Sequence, residues 1–302
     1  MTINGRNFSA ASAVTFNGVN AASFTVTSDT AIQASVPATA ATGPLGVTTP
    51  AGTATSAANF TTVPTITSFT PTSGAEGASV TISGANLTGA TAVTFNGSVA
   101  AFTVASATTI QTAVPAGATT GTLSVTTPGG TATSPSNFTV APTITSFTPA
   151  SGPVGTTVTI NGRNFTAATA VRFNGTAATF SVTSATAIAA TVPAAATAGT
   201  ISVTTAAGTA TSTSSFAVTV LLTVNKANTL GIGDGLVTST PPGINCGGTC
   251  SAFYALDSVV NLDVTTVLPN AFNGWTGCDS VSGTTCTVAM SRAKTVTANF
   301  LP

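Results

Sequence analysis

The stretch PTITSFTPASGPVGTTVTINGRNF, at residues 142–165, recurs in pieces elsewhere in the same chain. Its first eight residues recur from Pro64. Its last eight recur at the start of the chain as MTINGRNF, with Met1 in the place of Val158. The tripeptide FNG marks the same position in three successive repeats, beginning at residues 16, 95 and 173. Internal similarity at a fixed period indicates a repeat architecture, here with a period of about 78 residues.

Each repeat has the pattern of short β-strands. ASVTISG at residues 78–84 and AVTF at residues 92–95 alternate apolar with polar residues, which is typical of half-buried strands. Asn-Gly follows VTF in the first two repeats and VRF in the third, and it predicts a tight hairpin because both turn positions require positive φ. Short strands in a unit of this size predict a seven-stranded β-sandwich. We expect the repeated phenylalanines to fill its core, among them Phe69, Phe95, Phe102 and Phe138.

These motifs resemble the IPT/TIG family of immunoglobulin-like domains. The resemblance rests on SFTPxSG, GxxVTIxGxNF, VxFNG, IxATVP and GTxSVTT, which all occur in the third repeat. It implies tandem immunoglobulin-like β-sandwiches over residues 1–219, namely an incomplete domain at 1–62 and further domains at 63–140 and 141–219. Such domains are spacers in bacterial surface proteins, accessory modules of polysaccharide enzymes and interaction modules of receptors, so the resemblance predicts fold better than function.

Residues 220–302 have a different pattern and contain all four cysteines, the only Trp and the only Tyr. The stretches GLVTSTPPGINCGGTC, FNGWTGC and CTVAMSRAKTVTANF resemble a bacterial surface repeat related to the internalin B-repeat family. That resemblance implies a small, β-rich, grasp-like domain of secreted proteins. The sequence therefore predicts an all-β chain with a fourth domain at 220–302.

The four cysteines are consistent with either a zinc site or two disulfides. Cys246 and Cys250 are separated by three residues and Cys278 and Cys286 by seven, a gap wider than zinc-binding pairs prefer. An even number of cysteines in a chain of secreted type favours disulfides. We predict the local pairs Cys246–Cys250 and Cys278–Cys286 among three connectivities that stay open, and we predict no metal site.

Trp275, in FNGWTGC, has two interpretations. It is either a platform for stacking on a sugar or a residue of the core beside a cysteine, and the second is favoured. Asp234 lies among glycines, where a lone carboxylate is more typical of a turn than of a calcium site.

Composition excludes several classes of function. Charged residues are only 4% of the chain and the net charge is zero, so no basic surface is available for nucleic acid. The chain has no histidine, which excludes Ser-His-Asp and Cys-His catalysis. Asp257 and Asp263 are six residues apart in a strand-like segment, but nothing else marks them as a glycosidase pair. No apolar stretch is long enough to cross a membrane and no cofactor motif occurs, so we expect a protein that is not an enzyme, without cofactors.

The incomplete first repeat has two explanations. It lacks the residues corresponding to 142–157, which should form the first strand of the sandwich and the turn after it. Either the chain is a fragment whose start was misplaced, or the gap is filled by a strand from a neighbouring chain, as in strand-complemented fibres. The chain offers no spare extension after Phe300 to act as that strand.

We therefore expect a secreted or cell-surface protein with a structural function, as a stalk or fibre segment that self-associates. The alternative is an adhesin or a carbohydrate-binding accessory region of a larger secreted protein, with a surface glycan or a protein as its ligand. A third hypothesis is a fragment of an enzyme whose catalytic domain lies elsewhere.

Overall fold

Every regular element that the described residues form is a β-strand. The computed structural model describes residues 1–228, 235–266 and 271–301 of the chain, so Asp234 lies outside the described residues. The chain divides into two units, Met1–Ala141 and Pro142–Pro302. The first unit contains two sandwiches. The second contains one sandwich and the cysteine-containing region.

The first sandwich packs a three-stranded sheet, in the order β1-β5-β4, against a four-stranded sheet, in the order β3-β2-β6-β7. Its strands are β1 (Thr2–Asn4), β2 (Ala13–Phe16), β3 (Val19–Asn20), β4 (Ser23–Ser28), β5 (Ala31–Ser35), β6 (Gly43–Thr49) and β7 (Gly52–Phe60).

The second sandwich has one sheet in the order β13-β14-β10-β8 and another in the order β12-β11-β15-β16-β9. Its strands are β8 (Thr65–Thr70), β9 (Ser73–Gly74), β10 (Ser79–Ala85), β11 (Ala92–Phe95), β12 (Ser98–Ala100), β13 (Phe102–Ser106), β14 (Thr109–Ala113), β15 (Gly121–Thr127) and β16 (Gly130–Val140).

The third sandwich repeats the same order, with β17-β19-β23-β22 in one sheet and β21-β20-β24-β25 in the other. Its strands are β17 (Thr143–Thr148), β18 (Ser151–Gly152), β19 (Thr157–Arg163), β20 (Ala170–Phe173), β21 (Thr176–Ala177), β22 (Phe180–Ser184), β23 (Ala187–Thr191), β24 (Gly199–Thr205) and β25 (Gly208–Asn228).

The cysteine-containing region also has two sheets. One has the order β26-β28-β31-β30. The other contains the second half of β25, which lies between β27 and β32, and β32 pairs in turn with β29. The remaining strands are β26 (Leu236–Thr240), β27 (Ser251–Ala255), β28 (Val259–Thr265), β29 (Ala271–Thr276), β30 (Ser280–Ser282), β31 (Thr285–Ala289) and β32 (Lys294–Leu301).

The prediction of all-β, immunoglobulin-like sandwiches is confirmed, but each complete repeat contains nine strand segments rather than seven. Two strands change sheets part-way. β8 pairs with β10 in one sheet, whereas β9, three residues further on, pairs in parallel with β16 in the other. A single residue, Ala101, separates β12 from β13 in the same way. Each strand that changes sheets is therefore counted as two segments, which accounts for nine segments where seven strands were predicted.

The Asn-Gly turns form as the sequence predicts. In the turn between β11 and β12, Asn96 has φ 45° and Gly97 has φ 86°. The Asn96 side chain donates to Thr119 Oγ1 at 2.9 Å and to the Thr120 carbonyl oxygen at 3.2 Å. A Cβ built on Gly121 would lie 2.3 Å from Asn96 Cγ, so only glycine fits against this side chain. The turn is thus tied to the segment that leads into β15.

Apolar residues form one core in each sandwich and one in the cysteine-containing region. Phe95 and Phe138 are buried in the second core with their ring centroids 5.2 Å apart in an edge-to-face arrangement. Phe69 is also buried there, and Phe102 is half-buried against the same core. The four phenylalanines predicted as core therefore all pack against it.

Candidate functional site

In the first sandwich the strand β1 lies at the edge of its sheet, whereas its equivalents in the other two sandwiches are internal strands. In the second sandwich β10 lies between β14 and β8, and in the third β19 lies between β23 and β17. The equivalent strand of the first sandwich, β1, pairs with β5, and the structure describes no strand on its other side. Backbone groups along that edge of β1 are therefore available to another strand.

The core beneath this edge is partly uncovered. Leu45 is 9% exposed, whereas the equivalent residues Leu123 and Ile201 are 0% exposed. Phe60 is half-buried, whereas Phe138 and Phe216 at the same position are 1% exposed. The missing cover corresponds to Phe69 and Phe147 of the other sandwiches, whose rings lie 6.1 and 6.3 Å from those of Phe138 and Phe216. The first core is thus open along the side where an aromatic residue of a first strand would lie.

A groove of about 290 Å³ follows this open side, and a second groove of about 210 Å³ shares four of its lining residues. Both are lined by Arg6, Phe8, Val47 and Ala54, and the smaller reaches Ile3 and Leu45 in the core. The walls combine apolar side chains such as Phe8 and Val47 with polar ones, among them Arg6 and the threonine and serine side chains of β7.

The cysteine-containing region has two disulfides. Cys246 is joined to Cys250 with an S–S distance of 1.90 Å, and Cys278 is joined to Cys286 with an S–S distance of 1.96 Å. Cys246 and Cys286 are fully buried in the local core. All four cysteines are thereby used in local bridges, and none is a free thiol.

The two large polar aromatics of this region face inward. Trp275 is buried, packs its ring 5.5 Å from that of Phe272, and donates from Nε1 to the Thr284 carbonyl oxygen at 2.9 Å. The Tyr254 hydroxyl donates to Ser239 Oγ at 2.6 Å. Trp275 is therefore a core residue, as favoured by the sequence, and offers no stacking platform.

One aromatic residue of this region is exposed, and no sequence motif marks it. Phe253 is 55% exposed on β27, between half-buried Ala252 and buried Tyr254. It lies opposite Leu221 of β25 in the sheet register. Successive side chains of a strand point to opposite faces of the sheet, so one of the neighbours Phe253 and Tyr254 must face outward. The sequence SAFYA does not show which of the two does so.

The carboxylates are used in separate local contacts. Asp257 lies in the turn before β28 with φ 65°, and Asp263 on β28 accepts a hydrogen bond from the Thr285 hydroxyl. Asp279 accepts a hydrogen bond from Lys294 Nζ at 2.7 Å and one from the Ala289 amide at 2.6 Å. The Lys294 hydrogen bond, followed by that of Ala289, lowers the pKa of Asp279 below its ordinary value. Asp263 thus links β28 to β31, and Asp279 links the segment before β30 to β31 and β32.

Among the described residues, no group of three or more His, Cys, Asp or Glu side chains is placed to hold a metal ion. The described part of the chain also forms no helix with the length and apolar character that a membrane crossing needs.

The IPT/TIG domain family matches residues 64–140 and 142–220, which together are more than half of the chain. The chain belongs to the IPT/TIG domain family. Residues 1–62 precede the matched segments, and their strands β1 to β7 follow the order of β10 to β16 in the first matched IPT/TIG domain. The relation of residues 220–302 to the internalin B-repeat family stays a prediction.

Several solved structures are similar to this IPT/TIG chain. One is a protein crystallised with a xylogluco-oligosaccharide, with 18% identity, coverage of 97% of this chain and 86% of that chain, and a TM-score of 0.35. Another is SGBP-B from a xyloglucan utilization locus of Bacteroides uniformis, with 18% identity, coverage of 77% and 88%, and a TM-score of 0.28. A third is the surface glycan-binding protein PbSGBP-B of Prevotella bryantii, with 20% identity, coverage of 52% and 42%, and a TM-score of 0.31. No curated protein sequence matches the chain. TM-scores this low establish no common global structure, and no ligand is transferred from these proteins to this chain.

Proposed function

We propose that this chain is a non-enzymatic, extracellular spacer that holds parts of a bacterial surface protein at a fixed separation. The observation that carries the proposal is β25, a strand of 21 residues from Gly208 to Asn228. Its first half pairs with β24 in the third sandwich, and its second half pairs with β27 and β32 in the cysteine-containing region. The domain boundary predicted at 219/220 falls inside this strand.

A shared strand supports a stiff joint, because no flexible linker separates the two cores. The joint is reinforced by Leu256, whose amide donates to the Val218 carbonyl oxygen at 2.8 Å. The Leu256 side chain packs against the core of the third sandwich although the residue follows β27 of the next region. Bending at this point would break cross-strand hydrogen bonds and expose apolar surface together.

An extracellular location is part of the proposal. Two disulfides within one small region are typical of proteins that fold in an oxidising compartment. We also propose four domains, with the limits 1–62, 63–140, 141–219 and 220–302. The last of these is proposed to be related to bacterial surface repeats.

Distance measurements by pulsed electron paramagnetic resonance test the joint. Spin labels are placed at Ser181→Cys on β22 and Leu301→Cys at the end of β32, both of which are exposed. We expect one narrow distance distribution, and a broad one after Gly-Ser-Gly-Ser is inserted between Val218 and Thr219. The same insertion between Ala206 and Ala207, in the turn before β25, is the control and should leave the distribution narrow. A native distribution as broad as that of the Val218 insertion would overturn the proposal.

A carbohydrate-binding function is the second candidate, and exposed Phe253 is the observation that favours it. The outward face of the same sheet has hydroxyl and amide side chains at Thr223 and Asn225 of β25, with Thr295 of β32 opposite Thr223. An aromatic ring beside hydrogen-bonding side chains suits a sugar, which has apolar C–H faces and equatorial hydroxyls.

Affinity electrophoresis and calorimetry with xyloglucan oligosaccharides, the class of ligand in one similar crystal structure, test this candidate. If it is correct, Phe253→Ala abolishes binding, while Val281→Ala, at an equally exposed position of β30, leaves it intact. Trp275→Ala is not the decisive variant, because Trp275 is part of the core. Absence of binding by the unmodified chain, or equal binding by Phe253→Ala, would exclude this face as the site.

A further inference from the structure

We propose that the chain has a second stiff joint, between the first and second sandwiches, and that Gly129 is the residue that allows this joint to close. The inference deepens the spacer function proposed above and rests on it, because a spacer keeps a fixed separation only where every joint is stiff. This joint lies within the unit Met1–Ala141 and does not involve β25, so the two joints can be tested separately.

The linker between these sandwiches is short and partly buried. Only residues 61–64 separate the end of β7 from the start of β8. Thr62 and Pro64 are buried, whereas Thr61 and Val63 are exposed. Proline fixes its own φ and restricts the conformation of the residue before it. The linker therefore has little conformational freedom of its own.

The first sandwich holds the linker through Thr42, in the loop before β6. The Thr62 amide donates to Thr42 Oγ1 at 3.1 Å, and the hydroxyl oxygens of the two threonines are also 3.1 Å apart. In the second sandwich the Val140 amide donates to Thr120 Oγ1 in the same way, at 3.0 Å. Thr62 is therefore held as the last residue of the first sandwich.

The second sandwich holds the same linker from the other side. Asn86 Nδ2 donates to the Val63 carbonyl oxygen at 3.1 Å. The turn between β15 and β16 packs so closely that a Cβ built on Gly129 would lie 2.0 Å from the Thr62 carbonyl oxygen and 2.7 Å from its carbon. Those are backbone atoms, which cannot rotate away as a side chain can. Any residue larger than glycine at position 129 would therefore push the linker away from the second sandwich.

The other repeats show that the turn itself does not need this glycine. The equivalent residues are Ala51 and Ala207, and in all three turns the amide at this position donates to a threonine hydroxyl. These bonds, to Oγ1 of Thr49, Thr127 and Thr205, measure 3.3, 3.2 and 3.2 Å. Gly129 does not have a left-handed φ, so its backbone conformation is open to alanine. The missing side chain at position 129 thus serves the contact with the linker.

Pulsed electron paramagnetic resonance between the first two sandwiches tests the joint. Spin labels are placed at Thr25→Cys on β4 and Thr103→Cys on β13, which are equivalent, exposed positions, and the four native cysteines are bridged. We expect one narrow distance distribution for the otherwise unmodified chain. Insertion of Gly-Ser-Gly-Ser between Val63 and Pro64 should widen it at least two-fold. A distribution that is as broad before the insertion as after it would overturn the proposal.

A pair of reverse substitutions tests the role of Gly129. Gly129→Ala should widen the distribution at least two-fold, because the added methyl group displaces the Thr62 peptide. Ala51→Gly makes the opposite exchange in the equivalent turn of the first sandwich and should leave the distribution unchanged. Amide hydrogen exchange in β10 and β15 should stay as in the unmodified chain. An unchanged distribution in Gly129→Ala would contradict the role of Gly129, and so would faster exchange in β15, which would mean that the turn itself needs glycine.

Asn86→Gly tests the second contact of the linker. Glycine keeps the left-handed φ of 58° at this position and removes only the side chain that binds Val63. We expect a wider distribution here as well, and an unchanged one would contradict a clamp built from both contacts. A narrow distribution between labels at positions 181 and 301, together with a broad one between positions 25 and 103, would reject this inference and leave the joint at β25 intact.

Discussion

At the scale of single residues, the hairpin turns show why small residues recur in each repeat. Asn96 adopts a left-handed conformation and turns its side chain toward the start of β15, where Gly121 meets it. The backbone at Gly121 does not require glycine, because its φ is not in the left-handed region, so contact with Asn96 alone excludes a side chain. The same contact recurs in the other two repeats, where Gly43 meets Asn17 and Gly199 meets Asn174, so the asparagine and the later glycine form one conserved pair within the chain.

Gly121→Ala should therefore destabilise the second sandwich by about 1–3 kcal/mol, the usual cost of overpacking. Hydrogen exchange of the core amides of β10, β14 and β15 measures this effect locally. Thr103→Ala, at an exposed position of β13, is the control and should change protection by less than about 0.5 kcal/mol. Equal effects of the two variants would show that the Asn96 contact is not what excludes a side chain at position 121.

The Asp279–Lys294 pair predicts a pH dependence. The pKa of Asp279 is lowered in the folded chain below its value of 3.8 in a model compound, so its contribution to stability is present above that value. The contribution is lost as pH falls through the folded pKa. Fluorescence of Trp275, the only tryptophan, reports unfolding of this region. The drop in its melting temperature from pH 6 to pH 3 should be smaller in Asp279→Asn. An unchanged drop would assign the pH dependence to other groups.

At the scale of elements, the disulfides close two short loops, with sequence separations of 4 and 8. Loops of this size are expected to contribute about 2–3 kcal/mol each by restricting the unfolded chain. Replacing either pair with alanine should lower the Trp275 melting temperature, and iodoacetamide should modify no cysteine of the unmodified chain without a reductant. Alkylation of the native chain would contradict the local pairing.

The joint at β25 gives a second prediction at this scale. Leu256→Ala removes a half-buried side chain that packs against the core of the third sandwich. It should lower the free energy of unfolding by roughly 1–2 kcal/mol, which is less than the effect of removing a fully buried leucine. The loss should appear in hydrogen exchange of β24 as well as in Trp275 fluorescence, because the residue links both regions. A loss confined to one region would mean that the two unfold independently.

Sequence reasoning predicted individual strands and turns well and connections between them less well. AVTFNG predicts a strand and its turn because both depend on neighbouring residues. The chain changes sheets between β8 and β9, and β25 continues through Val220 into the next region. Both features depend on which sheet lies nearby, which cannot be predicted from local sequence. A change of pattern after Val220 indicated a domain boundary, but a strand continues wherever its hydrogen bonds do. Likewise, Phe253 and Tyr254 have similar apolar bodies, and only tertiary packing decides between them.

At the scale of the whole molecule, stability should be uneven among the repeats. The first sandwich has a half-buried Phe60 and a core exposed at Leu45, whereas the equivalent residues of the other two are covered. Amides of Ile3 and Val47 should therefore exchange faster than those of Ile82 and Val125, their counterparts in the second sandwich. Proteolysis should likewise cut between residues 1 and 62 first. Equal protection of the paired amides would show that the open edge costs no stability.

The parallel pairing of β25 with β32 has a mechanical consequence. The two strands are joined over seven residue pairs, from Leu222 opposite Lys294 to Asn228 opposite Phe300. Tension between the third sandwich and Leu301 would pull on the beginning of β25 and on the end of β32. Because the strands run in the same direction, that load acts along both and shears all their hydrogen bonds at once. Peeling would instead break them one after another. This domain is therefore oriented to resist extension.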